Sequence, residues 1–178
     1  TPFPGVFCFK MQINVKNILK IVFEIYFSML NLAYKEQNMI ILACDHAGYP
    51  LKEEIKKFFN RENITTIDVG TYSNESVDYP DYAKLGNAKV LESENNMGIY
   101  ICGTGVGMSI VANRNSKIRA ALCWNPTIAS LARRHNNANV LVLSGKYLRK
   151  RKAIRIVKEF LTTQFEAGRH AKRLKKLG

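Results

Sequence analysis

The chain has few groups that bind metals or cross-link. Its four cysteines, Cys8, Cys44, Cys102 and Cys123, stand far apart in 178 residues, with no CxxC pair and no repeated Cys/His spacing. This argues against the common zinc modules and a disulfide framework, and favours free thiols in a reducing compartment. Acidic residues are also scarce, 14 Asp and Glu against 27 Lys and Arg, for a formal charge of +13. The imbalance is local: from Lys146 to Gly178 twelve basic residues face two Glu, so ten of the thirteen net charges lie there. No aromatic side chain interleaves the terminal KRLKKLG, which disfavours nucleic acid as the main partner. A solvated C-terminal helix accounts for most of the run, and a phosphate site for two or three of its residues. Long apolar runs are missing too. Ile18–Leu32 is interrupted by Lys20 and Glu24, so no membrane span is expected. Lys10, Lys16 and Lys20 precede this stretch as in a signal peptide, but no small-residue cleavage site follows, and residues 1–38 contain no Arg to mark a transit peptide. A cytoplasmic location is expected.

Nearly half the residues are apolar and about a quarter charged, at a length that fits one globular domain. At Met39 the sequence changes to MIILAC, a buried-strand pattern able to begin a domain. Residues 1–38 are expected to be an extension outside the core, and residues 39–178 the working domain. Apolar runs of strand length recur at Met39–Cys44, Ile64–Val69, Gly98–Cys102, Arg119–Cys123 and Asn139–Leu143, each followed by helical periodicity. Leu51, Ile55, Phe58 and Phe59 share one helix face with Lys and Glu opposite, and Ala153, Ile154, Val157, Phe160 and Leu161 repeat the pattern. Such alternation predicts an α/β fold: a single open, doubly wound, Rossmann-like domain whose five-stranded parallel sheet carries helices on both faces. Ligands of such sheets bind beyond the carboxyl ends of the strands.

Asp45-His46-Ala47-Gly48 follows the first strand, and the pair suits proton handling or phosphate binding, or equally a turn residue beside a surface imidazole. The third strand ends in Cys102-Gly103-Thr104-Gly105-Val106-Gly107-Met108-Ser109. Glycines at alternate positions let backbone N–H groups turn toward an anion, with the start of a helix behind them. The third Gly comes one position early for a dinucleotide fingerprint, and no Lys-Ser/Thr follows to make a P-loop. Cys102 beside this turn is a candidate base or nucleophile, while Cys44 and Cys123 fit buried structural roles. Arg133-Arg134-His135-Asn136-Asn137 lies late in a helix, where His135 is a candidate general acid or a partner of the helix terminus. Arg169 and Arg173, four residues apart, form a phosphate grip if that stretch is helical, and surface charge otherwise.

Taken together, ACDHAGYPLK, DVGTYSNESVDYPDYA, ICGTGVGMSIVANR, IRAAL, ARRHNNANVLVL and FEAGRHAKR resemble the type B ribose-5-phosphate isomerases, within a group that includes galactose-6-phosphate and allose-6-phosphate isomerases. The resemblance runs from about Met39 to the C-terminus and does not cover residues 1–38. It implies that Cys102 moves a proton between C1 and C2 of the open-chain sugar through a cis-enediolate. Thr104 and the amides of Gly103, Gly105, Val106 and Gly107 would stabilise the enediolate, shifting the turn from phosphate cradle to oxyanion site. Asp45 would exchange protons between O1 and O2, and His135 would help open the furanose ring. His46, Arg169 and Arg173 would hold the phosphate, with Tyr79 and Asn136 lining the sugar site. Lys146 stands where the resemblance leads one to expect an arginine, which keeps the charge and loses bidentate geometry. The implied partners are a small sugar phosphate and further copies of the chain, as a homodimer or homotetramer with shared active sites. Neither a metal nor a redox cofactor is implied.

Three other readings compete. A hexose-phosphate isomerase, acting on allose 6-phosphate or galactose 6-phosphate, would use the same scaffold; Cys102 with intact DHAG and GRHAKR elements favours the pentose. A basic nucleic-acid-binding protein on an inactive scaffold would use the C-terminal charge, but the polar residues form a complete set. A cysteine hydrolase built on Cys102 and His135 lacks a nucleophile-elbow context.

Overall fold

The computed structural model describes residues 39–177, so the expectation for residues 1–38, with Cys8, lies outside the described residues. Five strands are present: β1 (Ile40–Cys44), β2 (Thr66–Asp68), β3 (Met97–Cys102), β4 (Ala120–Leu122) and β5 (Val140–Ser144). The helices are α1 (Tyr49–Arg61), α2 (Tyr79–Val90), α3 (Val106–Ala112), α4 (Pro126–Asn136), α5 (Lys150–Thr162) and α6 (Gly168–Leu174). All strand pairs are parallel, in the order β2-β1-β3-β5-β4. The expected α/β class and five-stranded parallel sheet are therefore observed. The edge strands β2 and β4 have three residues each, shorter than their apolar runs implied. Short edges limit pairing with another chain.

Strand alternation divides the core into two layers. Ile40, Leu42, Cys44, Ile99 and Ile101 pack with Leu51, Ile55 and Phe59 of α1, Ala129 of α4, and Ile156 and Phe160 of α5. Ile41, Ala43, Tyr100 and Cys102 face the other way, onto Ala83 and Val90 of α2 and Met108 and Ala112 of α3. Cys44 and Cys102 thus close neighbouring strands but belong to opposite layers. Local signals start the helices. Prolines occupy the first turns of α1, α2 and α4, where the missing N–H costs no hydrogen bond, and Asn125 Oδ1 caps α4 by accepting from Ile128 N–H at 2.9 Å.

Tyr100 fills the centre of the second layer. It is fully buried, and its hydroxyl donates to Asn87 Oδ1 at 3.1 Å. Burial pushes its phenol far above the ordinary tyrosine range. A Cβ on Gly86 or Gly98 would come within 2.7 Å of its ring, so both positions accept no side chain while the tyrosine is present.

Lys52 corrects the sequence reading, which assigned the lysines of α1 to the solvent face. Its side chain is fully buried and its ammonium donates to Asp68 Oδ1 and to the Thr71 carbonyl, both at 2.7 Å. Tyr49 and Tyr72 flank the charge at 5.5 and 4.8 Å. The buried ammonium therefore fastens the segment after β2 to α1. Among the described residues no helix is long and apolar enough to cross a membrane.

Candidate active site

Cys102 ends β3 at the carboxyl edge of the sheet, 4 % exposed. Gly105 N–H donates to its Sγ at 3.2 Å. The turn requires Gly105, whose φ is +85° and whose added Cβ would strike Leu122. Thr104 and Val106 stand exposed on the turn, and Thr104 Oγ1 accepts from Val106 N–H at 3.2 Å.

Neighbouring loops are tied to this turn. After β5, Gly145 N–H donates to the Cys102 carbonyl at 2.8 Å, Lys146 N–H donates to the Gly103 carbonyl at 3.1 Å, and Ser144 Oγ donates to the same carbonyl at 2.7 Å. After β1, Asp45 N–H donates to the Ile101 carbonyl at 3.2 Å, and Asp45 Oδ1 accepts from Gly48 N–H at 2.9 Å. Burial raises the Asp45 carboxyl above the ordinary range, with the Gly48 N–H opposing it. His46 Nδ1 lies 3.2 Å from the Val77 N–H and 3.3 Å from the Val77 carbonyl, which fixes the ring against the segment before α2. Tyr79 lies over the turn so closely that a Cβ on Gly107 would come within 2.6 Å of its ring. Asp45, His46, Tyr79, Cys102, the turn from Gly103 to Gly107 and Lys146 thus share one end of the sheet. Cys44 and Cys123 are buried, and burial pushes both thiols up to about 12, as structural cysteines require.

His135, Asn136, Arg169 and Arg173 do not join them. Helix α4 returns from the carboxyl end of β4, so its last turn lies at the opposite edge of the sheet. Arg119, just before β4, confirms the placement by donating through Nε to the carbonyls of Asn136 and Asn137 at 3.1 and 2.8 Å. One strand length, about 16 Å for five residues, separates the two groups. At this second end His135 and His170 stack with centroids 4.2 Å apart and planes 6° from parallel. His135, Asn136, His170 and Arg173 line a cavity of about 270 Å³ with Leu174 and Leu177. A second cavity of about 350 Å³ holds Asn136 beside Arg119. Helix α6 exists as the Arg169–Arg173 spacing required, with both arginines exposed.

Sequence reasoning missed Arg119 and His170 as parts of the second group, Glu166 with its carboxylate 3.6 Å from His135 Nε2, and, away from both groups, the burial of Lys52. Arg119 lies in the IRAAL stretch, which signals only a strand. His170 lies in GRHAKR, where the flanking arginines carry the signal.

A doubly wound domain that sets a thiol beside a backbone-donor turn defines a class: an α/β enzyme equipped for proton transfer next to a developing oxyanion. Residues 40–177 match the family model described as Ribose/Galactose Isomerase. A putative sugar phosphate isomerase of Rickettsia conorii is 47 % identical over 138 residues, covering 78 % of this chain and 96 % of the relative. The crystal structure of a ribose 5-phosphate isomerase from Thermotoga maritima has a TM-score of 0.76 and 52 % identity, covering 78 % of this chain and 96 % of that one. Ribose-5-phosphate isomerase B from Mycoplasma genitalium, solved with bound ribulose-5-phosphate, has a TM-score of 0.75 and 41 % identity, covering 79 % and 93 %. The chain belongs to the ribose/galactose isomerase family.

Proposed function

We propose that the protein interconverts ribose 5-phosphate and ribulose 5-phosphate through a cis-enediolate. The observation that carries this reading is the Gly105 N–H directed at Cys102 Sγ within a glycine turn that opens helix α3 at the carboxyl end of the sheet. A proton beside a carbonyl is weakly acidic, so its removal needs both a base and stabilisation of the oxygen that takes up the charge. Cys102 removes the proton from C2 of the open-chain aldose and returns it to C1. Thr104 and the amides of Gly103, Gly105, Val106 and Gly107 hold the enediolate. Asp45, with its carboxyl raised by burial, passes protons between O1 and O2. The bound ribulose-5-phosphate of the Mycoplasma relative supports this substrate class.

His135 assists ring opening, Tyr79 and Asn136 line the sugar, and His46, Arg169 and Arg173, with Lys146, supply the positive charge for phosphate. The two groups lie at opposite ends of one sheet, so this assignment requires a second copy of the chain: the thiol end of one subunit faces the arginine end of another. Exposed Val106, Ile110, Trp124 and Ile128, which are 41–53 % exposed, supply apolar surface at the thiol end for such a contact. Residues 39–178 form the isomerase domain in this reading, with residues 1–38 outside it.

The test compares turnover of ribose 5-phosphate with that of allose 6-phosphate by the purified protein. Faster turnover of the pentose is expected; faster turnover of the hexose overturns the substrate assignment.

A further inference from the structure

The segment joining α5 to α6 carries Glu166 under the last turn of α4. Glu166 N–H donates to the Arg134 carbonyl at 3.0 Å, and Arg134 Nε donates back to Glu166 Oε1 at 2.6 Å, with Arg134 Nη2 ion-paired to the same oxygen. Backbone and side chain therefore fix this carboxylate relative to α4. Its free oxygen, Oε2, lies 3.6 Å from His135 Nε2 and 3.8 Å from His170 Nε2. His170 is 7 % exposed, and Arg169 Nε lies 3.5 Å from its Nε2.

The charged and titratable groups gathered here are Arg134 and His135 from α4, Arg169, His170 and Arg173 from α6, and Glu166 between the helices. Glu166 is the one acid among them. Burial, and then His135, Arg169 and Arg173, hold His170 below the ordinary histidine range, against the pull of Glu166. His170 stacks beneath the His135 ring, whose Nε2 edge faces Glu166 Oε2.

His135, Glu166 and His170 bring one ligand atom each within 4.8 Å of one another, a spacing that admits a metal ion. The ring geometry opposes it. Parallel imidazoles 4.2 Å apart direct their in-plane lone pairs side by side rather than toward one point, and Glu166 already serves Arg134. The arrangement is that of an imidazole supported from below by a second ring and at its edge by a carboxylate.

We infer that Glu166 is a positioning residue for ring opening: anchored by Arg134, it fixes the orientation of the His135 imidazole from which a proton passes to the ring oxygen of a cyclic sugar. This rests on the reading of His135 given above.

Substrate chemistry separates this role from a purely structural one. Ribose 5-phosphate closes to a furanose and must be opened. Ribulose 5-phosphate, with its C5 oxygen phosphorylated, has no furanose form and enters open. The experiment measures, for Glu166→Gln, Glu166→Asp and His135→Ala, kcat/KM on ribose 5-phosphate and the rate at which ribulose 5-phosphate takes up deuterium from D2O, an exchange that needs the enediolate but no ring step. For Glu166→Gln the expected result is about a tenfold loss of kcat/KM with deuterium uptake changed by less than about twofold. Glu166→Asp, which keeps the carboxylate, should recover part of the lost kcat/KM. Equal losses of conversion and exchange would overturn the inference alone, provided His135→Ala still loses conversion and keeps exchange. If His135→Ala does not separate conversion from exchange, the reading of His135 and this inference fall together.

Discussion

The two ends of the sheet are built from different materials. At the carboxyl end, Cys102 is held in a turn whose donors are main-chain amides, with loops tied by Gly145, Lys146 and Ser144. At the other end the working groups are side chains on helix termini: His135, Asn136, Arg169 and Arg173, two of them exposed arginines. Main-chain donors are short and rigid, and suit an oxyanion whose position is set by a bond being made. Arginines are long and charged, and suit a phosphate that must be caught from water. On the proposed function, each end is a specialised half-site and chemistry needs both.

Removing the thiol should do the greatest damage. Cys102→Ala is expected to lower kcat for ribose 5-phosphate by at least about 100-fold, measured by the isomerase assay. A near-normal rate would remove the thiol end from the proton transfer. Next, Cys102→Ala and Arg169→Ala chains, each of low activity, should regain activity when unfolded together and refolded as a mixture. In a homodimer with two shared sites, random pairing restores about a quarter of the wild-type rate. No recovery would mean that the ends do not meet across subunits.

Lys52 sharpens the comparison from the side of stability, because it fastens the loop that leads to Tyr79. Lys52→Met should cost about 3 kcal/mol by urea unfolding, the low end for breaking a buried pair, since Lys56 still reaches Asp68 at 2.8 Å. A smaller disturbance is Gly107→Ala. The added methyl displaces Tyr79, and kcat/KM should fall about tenfold with little change in Tm. Last, Asp45→Asn should leave the Gly48 contact intact and raise Tm at neutral pH by no more than about 3 °C while reducing activity. The sign follows from the raised carboxyl: the folded state binds the proton more tightly than the unfolded one. Its stabilising contribution is thus full at low pH and lost as pH rises through the folded value. The substitution should flatten that part of the stability profile.

The strands and the Cys102 turn were legible because strand patterns and glycine spacing are local properties of a chain. The edge strands were less so: the Ile64–Val69 and Arg119–Cys123 runs are longer than the three residues that pair in each, and pairing ends at Leu42 and Val142 while β1 and β5 run on to Cys44 and Ser144. Lys52 misled for a physical reason. Helical periodicity places a lysine on a face but does not reveal a carboxylate from β2 and a carbonyl from the next loop arriving there. His135 and Cys102 both carry chemical signals, yet periodicity does not say that they occupy opposite ends of the sheet. Glu166 carried no signal of its own, because its role comes from contacts across two helices.

Tyr100 and the two glycines at its ring have a consequence for inheritance. Gly86 and Gly98 lie on different elements, and each is confined to hydrogen by the same aromatic ring. The three positions therefore make one heritable unit: a methyl group at 86 or 98 can be accepted only in a lineage where residue 100 has first lost its ring.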